Sequence, residues 1–266
     1  MVKIIVGGAG GRMGRTILKL ASQTADIKIA GAFEKADHPA IGRDVGELVG
    51  DSPIRIPVHP DLRECIETGD VVIDFTHPSA TLQNLKVSRE AKKGMVIGTT
   101  GLSDSLVREI KKASKKIPIV QSPNMSLGVN LLFSLAELAA RILDLSYDVE
   151  IIEAHHRHKK DAPSGTALEL IRQIAKGRNM ALESNVVFGR KGETGTRKSG
   201  TIGVHAIRGG DVVGEHTVSF LTEGERLDLI HRASSREAFA KGVLLAAKFV
   251  SKKRSGFYNM RQVLGL

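Results

Sequence analysis

The densest group of reactive side chains in the chain is the run Glu153-Ala154-His155-His156-Arg157-His158-Lys159-Lys160-Asp161-Ala162-Pro163-Ser164-Gly165-Thr166-Ala167. Positions 155–160 hold three histidines and three fixed cations, so a dianion is attracted there while histidine exchanges protons near neutral pH. Pro163 suits the entry to a helix, and Ser164, Gly165 and Thr166 offer backbone N–H groups and a hydroxyl to a carboxylate at that helix's N-terminus. A lysine crowded by cations finds its charged form disfavoured, which makes Lys159 a candidate proton donor. Two plainer readings stand beside this one: a solvated basic face, and a zinc site. Zinc is poorly served, because His155 and His156 point apart on a strand, the H-E-x-x-H spacing is missing and no cysteine lies near; no metal is expected.

A second group lies near the N-terminus, Val6-Gly7-Gly8-Ala9-Gly10-Gly11-Arg12-Met13-Gly14. Gly8, Gly11 and Gly14 form a G-x-x-G-x-x-G variant of the dinucleotide fingerprint, in which the backbone turns sharply and approaches a pyrophosphate at the positive end of a helix. The plain alternative is a tight turn without ligand. Twenty residues past Gly14 stands Glu34, placed to accept hydrogen bonds from ribose hydroxyls, with Lys35 beside it to offset a 2′-phosphate. NADH and NADPH are both expected to bind, unless this pair is merely two solvated charges.

The elements that must position these residues alternate in the first half between short Val/Ile runs (3–6, 27–33, 71–75, 95–98, 117–121) and helical-period segments (12–22, 79–92, 103–114), the pattern of a parallel sheet covered on both faces. After Pro123 a helix over 127–143 leads to a strand at 147–154. A further helix spans about 166–176, and strand-like patterns with glycine turns run from 186 to 231. Residues 189–203, polar with five glycines, are expected to be a mobile loop. An amphipathic helix at 236–251 precedes an apolar tail, 256–266, expected to fold back on the first domain. The fold class is therefore α/β: a Rossmann-like dinucleotide-binding domain (1–126, completed by 236–266) and an α+β domain with an open mixed sheet (127–235).

The chain has 266 residues with 41% apolar and 26% charged, the composition of a globular protein. No apolar stretch suffices to span a bilayer and no export signal is visible, so neither a membrane nor an exported location is expected. The single cysteine, Cys65, excludes an internal disulfide and suits the cytoplasm. With 39 Lys and Arg against 29 Asp and Glu the charge is +10, yet there is no Trp and only two Tyr, so base-stacking nucleic-acid recognition is disfavoured against small anionic ligands. Two further functions are open to a chain with a dinucleotide fingerprint. An aldehyde dehydrogenase of the aspartate-semialdehyde type needs a nucleophilic thiol in a site loop, whereas Cys65 falls in the helical segment 61–68; a nucleic-acid-binding redox sensor needs a recognition helix, and none is seen.

The chain resembles the 4-hydroxy-tetrahydrodipicolinate reductase (dihydrodipicolinate reductase) family of lysine and diaminopimelate biosynthesis over essentially its whole length. The resemblance rests on residues 8–14, on Asp74-Phe75-Thr76, on Gly94-Met95-Val96-Ile97-Gly98-Thr99-Thr100-Gly101 and on the run 153–167. It implies an NAD(P)H-dependent reductase acting on a small dicarboxylate, with the domain 127–235 binding substrate and holding a homotetramer together. It also implies that His155 is the proton donor and acceptor and Lys159 a second proton donor. His156, Gly165 and Thr166 match substrate-carboxylate positions. Gly8, Ala9, Gly10, Gly11, Arg12, Met13, Glu34, Gly98, Thr99, Thr100, Ser122, Asn124 and Met125 match the cofactor side. The chain departs from the family's common pattern at Lys35, where arginine is frequent, and at His77, where other members can carry arginine.

Overall fold

Ile4, Ile5 and Val6 are all fully buried, and successive side chains buried on both faces place a strand inside a parallel sheet covered by helices. The structure, a computed structural model, describes residues 1–182 and 185–266. It comprises two compact units, Met1–Leu127 with Arg236–Gly265, and Gly128–Ser235 with Leu266. The first unit begins with β1 (Val2–Gly7), α1 (Arg12–Ser22), β2 (Ile27–Phe33), α2 (Val45–Leu48) and β3 (Val58–His59). It continues through β4 (Val71–Asp74), α3 (Pro78–Glu90), β5 (Gly94–Ile97), α4 (Asp104–Ala113) and β6 (Pro118–Gln121). These strands are all parallel, in the order β6-β5-β4-β1-β2-β3. That is the doubly wound order whose topology reverses between β1 and β4, where such folds bind ligands. Helix α1 buries Gly14, Ile17, Leu18 and Ala21, the i, i+3, i+4, i+7 stripe of a helix packed on a sheet. The segment 61–68 is two 3-10 turns, Leu62–Glu64 and Ile66–Thr68, rather than a continuous helix.

The second unit contains α5 (Leu127–Ile142), β7 (Asp148–His155), α6 (Gly165–Gly177), β8 (Val186–Phe188), β9 (Ile202–Arg208), β10 (Gly214–Thr222) and β11 (Glu225–Ala233). Its sheet, β11-β10-β7-β9-β8, is mixed: β10 runs antiparallel to both neighbours, and β9 lies parallel to β7 and β8. One face carries Val149, Ile151, Val204, Val218 and Phe220 into a core shared with Phe133, Ala136, Leu170 and Ile174. The opposite face is open, with Ile152, Ile207 and Ile230 exposed. In the segment 189–203, residues 202–203 belong to β9, residues 191–196 are exposed, and two arginines reach back to β7. Arg197 donates to Glu150 at 3.0 Å, Asp148 at 2.6 Å and the carbonyl of Val149 at 3.0 Å, and Arg190 also reaches Glu150 at 2.8 Å.

The chain then returns to the first unit as α7 (Glu237–Val250), β12 (Gly256–Tyr258) and α8 (Met260–Leu264). Strand β12 joins β6 in parallel at the sheet edge. Ala240, Val243, Ala247 and Val250 of α7 enter the core with Ile4, Val6 and Val96.

Candidate active site

In the first unit the glycine loop lies at the carboxyl end of β1. Gly8 has φ +73°, a conformation L side chains avoid, and a Cβ there would lie 2.2 Å from the Phe75 carbonyl oxygen. A Cβ on Gly14 would lie 2.0 Å from the Gly8 carbonyl oxygen, so α1 can meet the loop only through glycine. The N-cap of α1 is Gly11, and no side chain caps the helix; a phosphate at the first-turn N–H groups would meet no capping side chain as competitor. Glu34 accepts from the N–H of Gly10 at 3.0 Å and from that of Lys35 at 3.0 Å, which pins its carboxylate beside the loop. Gly8, Gly11, Glu34 and Lys35 line one cavity of about 460 Å³, shared with His38, Thr76 and His77. These features fit a dinucleotide: a glycine cradle, an uncapped helix and a carboxylate at ribose distance in the fingerprint.

The other cofactor-side candidates have different settings. Ala9 is buried in the core, Arg12 is exposed, Met13 packs partly against the core, and Met125 belongs to the core. Thr99 lies two residues beyond β5 and joins two turns: its hydroxyl accepts from the Thr76 N–H at 3.0 Å and lies 3.3 Å from the Asp74 carbonyl oxygen. Gly98 donates to that same carbonyl at 3.0 Å, and Thr100 is exposed. Ser122 donates to the Asn124 carbonyl at 2.9 Å, and the Asn124 side chain accepts from the Ser126 N–H at 2.8 Å. Asp74, fully buried, accepts from the Thr76 hydroxyl at 2.5 Å, and burial pushes its carboxyl above the usual carboxylate range. His77 caps α3 by accepting from the Ser79 N–H.

In the second unit β7 ends at His155, and the basic loop leads to α6, whose N-cap Ser164 accepts from the Ala167 N–H at 3.1 Å. Gly165 and Thr166 form the first turn, Gly165 exposed and Thr166 buried. His155 lies one residue from His156 and 2.6 Å, through Nδ1, from an oxygen of Glu153. Glu153 is fully buried. Burial alone pushes its carboxyl up, but bonds from His155 and Arg208 outweigh this and hold it at about 2. Lys159 is not simply one cation among others: Asp161 pairs with it at 2.8 Å, which corrects the expected crowding by positive charge alone. Among the described residues no three histidines, cysteines or carboxylates converge as a metal site.

Three residues here carried no assigned role in the sequence: Glu153, Arg208 and His216. His216 is buried on β10 opposite Glu153, its Nε2 3.1 Å from the Ser164 hydroxyl and its ring edge-on to His155 at 5.2 Å. Burial, and then the charge of His155, push its imidazole down to about 3, so it is neutral. The alternation of β10, in which His216, Val218 and Phe220 share the buried face, was the one local signal for it. Cys65 is buried, and its thiol is pushed up to about 12 by burial; that disqualifies it as an aldehyde-attacking nucleophile.

A doubly wound sheet with a glycine cradle, an uncapped helix and a carboxylate just past β2 fits a nicotinamide-dinucleotide oxidoreductase. The sequence profile of the dihydrodipicolinate reductase N-terminus matches residues 2–125, and that of its C-terminus matches residues 128–264. The 4-hydroxy-tetrahydrodipicolinate reductase of Nitrosomonas eutropha is 48% identical over 266 residues, covering 100% of this chain and 99% of the relative. That of Aromatoleum aromaticum is 49% identical over 265 residues, covering 100% and 96%. The dipicolinate-bound dihydrodipicolinate reductase of Paenisporosarcina sp. TG-14 superimposes with a TM-score of 0.77 at 27% identity, covering 97% of each chain. The chain belongs to the dihydrodipicolinate reductase family, NADH- or NADPH-using oxidoreductases of lysine and diaminopimelate biosynthesis.

Proposed function

We propose that the chain reduces 4-hydroxy-tetrahydrodipicolinate to tetrahydrodipicolinate, residues 1–126 and 236–266 binding the dinucleotide and residues 127–235 binding substrate and holding subunits together. The observation that carries this reading is the juxtaposition, in one loop and helix start, of a carboxylate-bound histidine, a lysine and the N-terminal turn of α6. A bound nicotinamide supplies a hydride to the conjugated imine. The protein binds, orients and delivers the proton. Backbone N–H groups of Gly165 and Thr166, with the His156 side chain, hold the carboxylates, and the α6 dipole adds to their attraction. His155 donates the proton that balances the hydride, and Lys159 is a second donor. The dicarboxylate class is supported by the dipicolinate bound to the Paenisporosarcina relative.

On the cofactor side Gly8 to Met13 receive the pyrophosphate, Glu34 the adenosine ribose, and Lys35 a 2′-phosphate, so that both NADH and NADPH serve. Gly98, Thr99 and Thr100, with Ser122, Asn124 and Met125, border the nicotinamide. The chain works in the cytoplasm as a homotetramer, without nucleic-acid or membrane partners. Self-association is supported by two apolar surfaces of the second unit, the open sheet face and the stripe Leu131, Leu135, Leu138 and Ile142 along α5, all exposed. No helix among the described residues is long and apolar enough to cross a membrane.

The test is a coupled assay: the cyclic substrate is formed from pyruvate and aspartate semialdehyde with its synthase, and NADH and NADPH oxidation are followed separately. Oxidation requiring both substrate and protein is expected. His155→Ala and Lys159→Ala should each lower turnover far more than cofactor binding; near-normal turnover in both would remove the catalytic assignment.

A further inference from the structure

Glu153 is the most heavily engaged side chain of the second unit's site, although its place inside β7 gives it no access to substrate. One carboxylate oxygen accepts from His155 Nδ1 at 2.6 Å and from an Arg208 nitrogen at 2.7 Å. The other accepts from the Ser164 N–H at 3.0 Å and from the second terminal nitrogen of Arg208 at 2.7 Å. That second nitrogen also donates to the Asp161 carbonyl at 2.6 Å. A single buried carboxylate therefore touches the proposed proton donor, the residue that opens α6, and the cation that holds the Lys159–Asp161 segment.

We propose that Glu153 is the positioning residue of this site, fixing His155 with its proton on Nδ1 and Nε2 turned to the substrate while it docks the α6 N-terminus through Ser164 and the basic loop through Arg208. The proposal rests on the reductase reading for its chemistry, and on the hydrogen bonds above for its geometry. An ionised carboxylate only accepts, so at 2.6 Å the nitrogen facing it must carry a hydrogen. Proton exchange is then confined to Nε2. The imidazolium gives its Nε2 proton to the reduced substrate, keeps Nδ1–H on Glu153, and is reprotonated at Nε2 by solvent. The neighbouring groups support this pair, because Arg208 from β9 balances the carboxylate and neutral His216 from β10 adds no second cation beside His155. Gly214 leaves space at the working atom, since a Cβ there would lie 3.2 Å from Nε2.

The experiment compares the full-length wild-type protein with Glu153→Gln. The amide fills the same volume and can accept from the Ser164 N–H, but its NH₂ then faces His155 Nδ1 and drives the proton to Nε2. Turnover should fall on the order of 10²–10⁴-fold, the typical contribution of a positioned general acid. The KM for NADH should stay within about twofold, because only a step after cofactor binding is affected. Proton–nitrogen correlation spectra of ¹⁵N-histidine-labelled protein, assigned with His155→Gln, should show neutral His155 as the Nδ1–H tautomer in the wild type and as Nε2–H in Glu153→Gln. An Nε2–H tautomer in the wild type overturns the proposal, and so does a folded Glu153→Gln variant with wild-type turnover. Should the variant not fold, the wild-type spectrum alone decides. A wild-type protein that shows the Nδ1–H tautomer but oxidises neither cofactor overturns the reductase reading and leaves the clamp standing.

Discussion

Replacing Arg208 by methionine isolates the ion pair at the centre of the second unit. Methionine keeps an apolar stem of similar length, so the strand β9 retains its packing, but Glu153 loses both bonds from the guanidinium and keeps only His155 and the Ser164 N–H. Removing one member of a buried pair costs about 3–5 kcal/mol, because a charge is left without compensation. The lower figure corresponds to roughly a 10²-fold change in the unfolding equilibrium. Acid should erase most of the difference. In the wild type the Glu153 carboxyl sits at about 2 when folded, against its ordinary value of 4.5. A carboxyl lowered by folding contributes stability that is fully present above its unfolded value and is lost as pH falls through its folded value. In Arg208→Met the folded value rises, so that contribution shrinks. The gap between the two proteins should therefore be widest at neutral pH and close as pH falls from 4.5 toward 2. With no Trp and two Tyr in the chain, urea unfolding is best followed by far-ultraviolet circular dichroism, at neutral pH and at about pH 3. An equal gap at both pH values would mean that Arg208 stabilises through packing or through its bond to Asp161, and would refute the ion-pair reasoning.

Glu34→Ala should raise the KM for NADH about 10-fold or more, the worth of a hydrogen bond to a charged group, and affect NADPH less, since a 2′-phosphate cannot donate to a carboxylate as a hydroxyl does; equal losses in steady-state assays would argue against ribose contact. Gly214→Ala places a methyl 3.2 Å from His155 Nε2 and should lower turnover by on the order of tenfold while leaving cofactor affinity and thermal stability nearly unchanged; unaltered turnover would place the substrate away from that nitrogen. With its thiol pushed up to about 12, Cys65 should resist a thiol-exchange reagent at mildly alkaline pH and react only in denaturant, because roughly one molecule in 10⁴ holds a thiolate there; prompt labelling of the folded protein would show that this segment opens.

What can be seen in the sequence is whatever chemistry is local. The phosphate cradle lies within seven residues and its reasons are short-range, a left-handed turn at Gly8 and a close approach at Gly14. The basic loop and the start of α6 are likewise one continuous run. Positioning is not local. Arg208 lies 55 residues from Glu153 and meets it only because β9 pairs in parallel with β7. Among 39 Lys and Arg, nothing in its own neighbourhood marks it. The two-residue β3 and the four-residue α2 have no periodicity long enough to show, and the glycine-rich segment after β8 reads as unanchored because the acids that hold Arg190 and Arg197 belong to β7. Lys159 illustrates the same limit over a shorter distance: Asp161 stands two residues on, but charge counting cannot place its carboxylate 2.8 Å from the ammonium. A proton donor reveals itself by its residue type, whereas the group that aims it is an ordinary glutamate until strand pairing brings its partners to it. In this fold the buried charge on β7 is therefore the position where substitution should separate aiming from chemistry, because it holds His155, Ser164 and Arg208 together without being one of the groups proposed to meet the substrate.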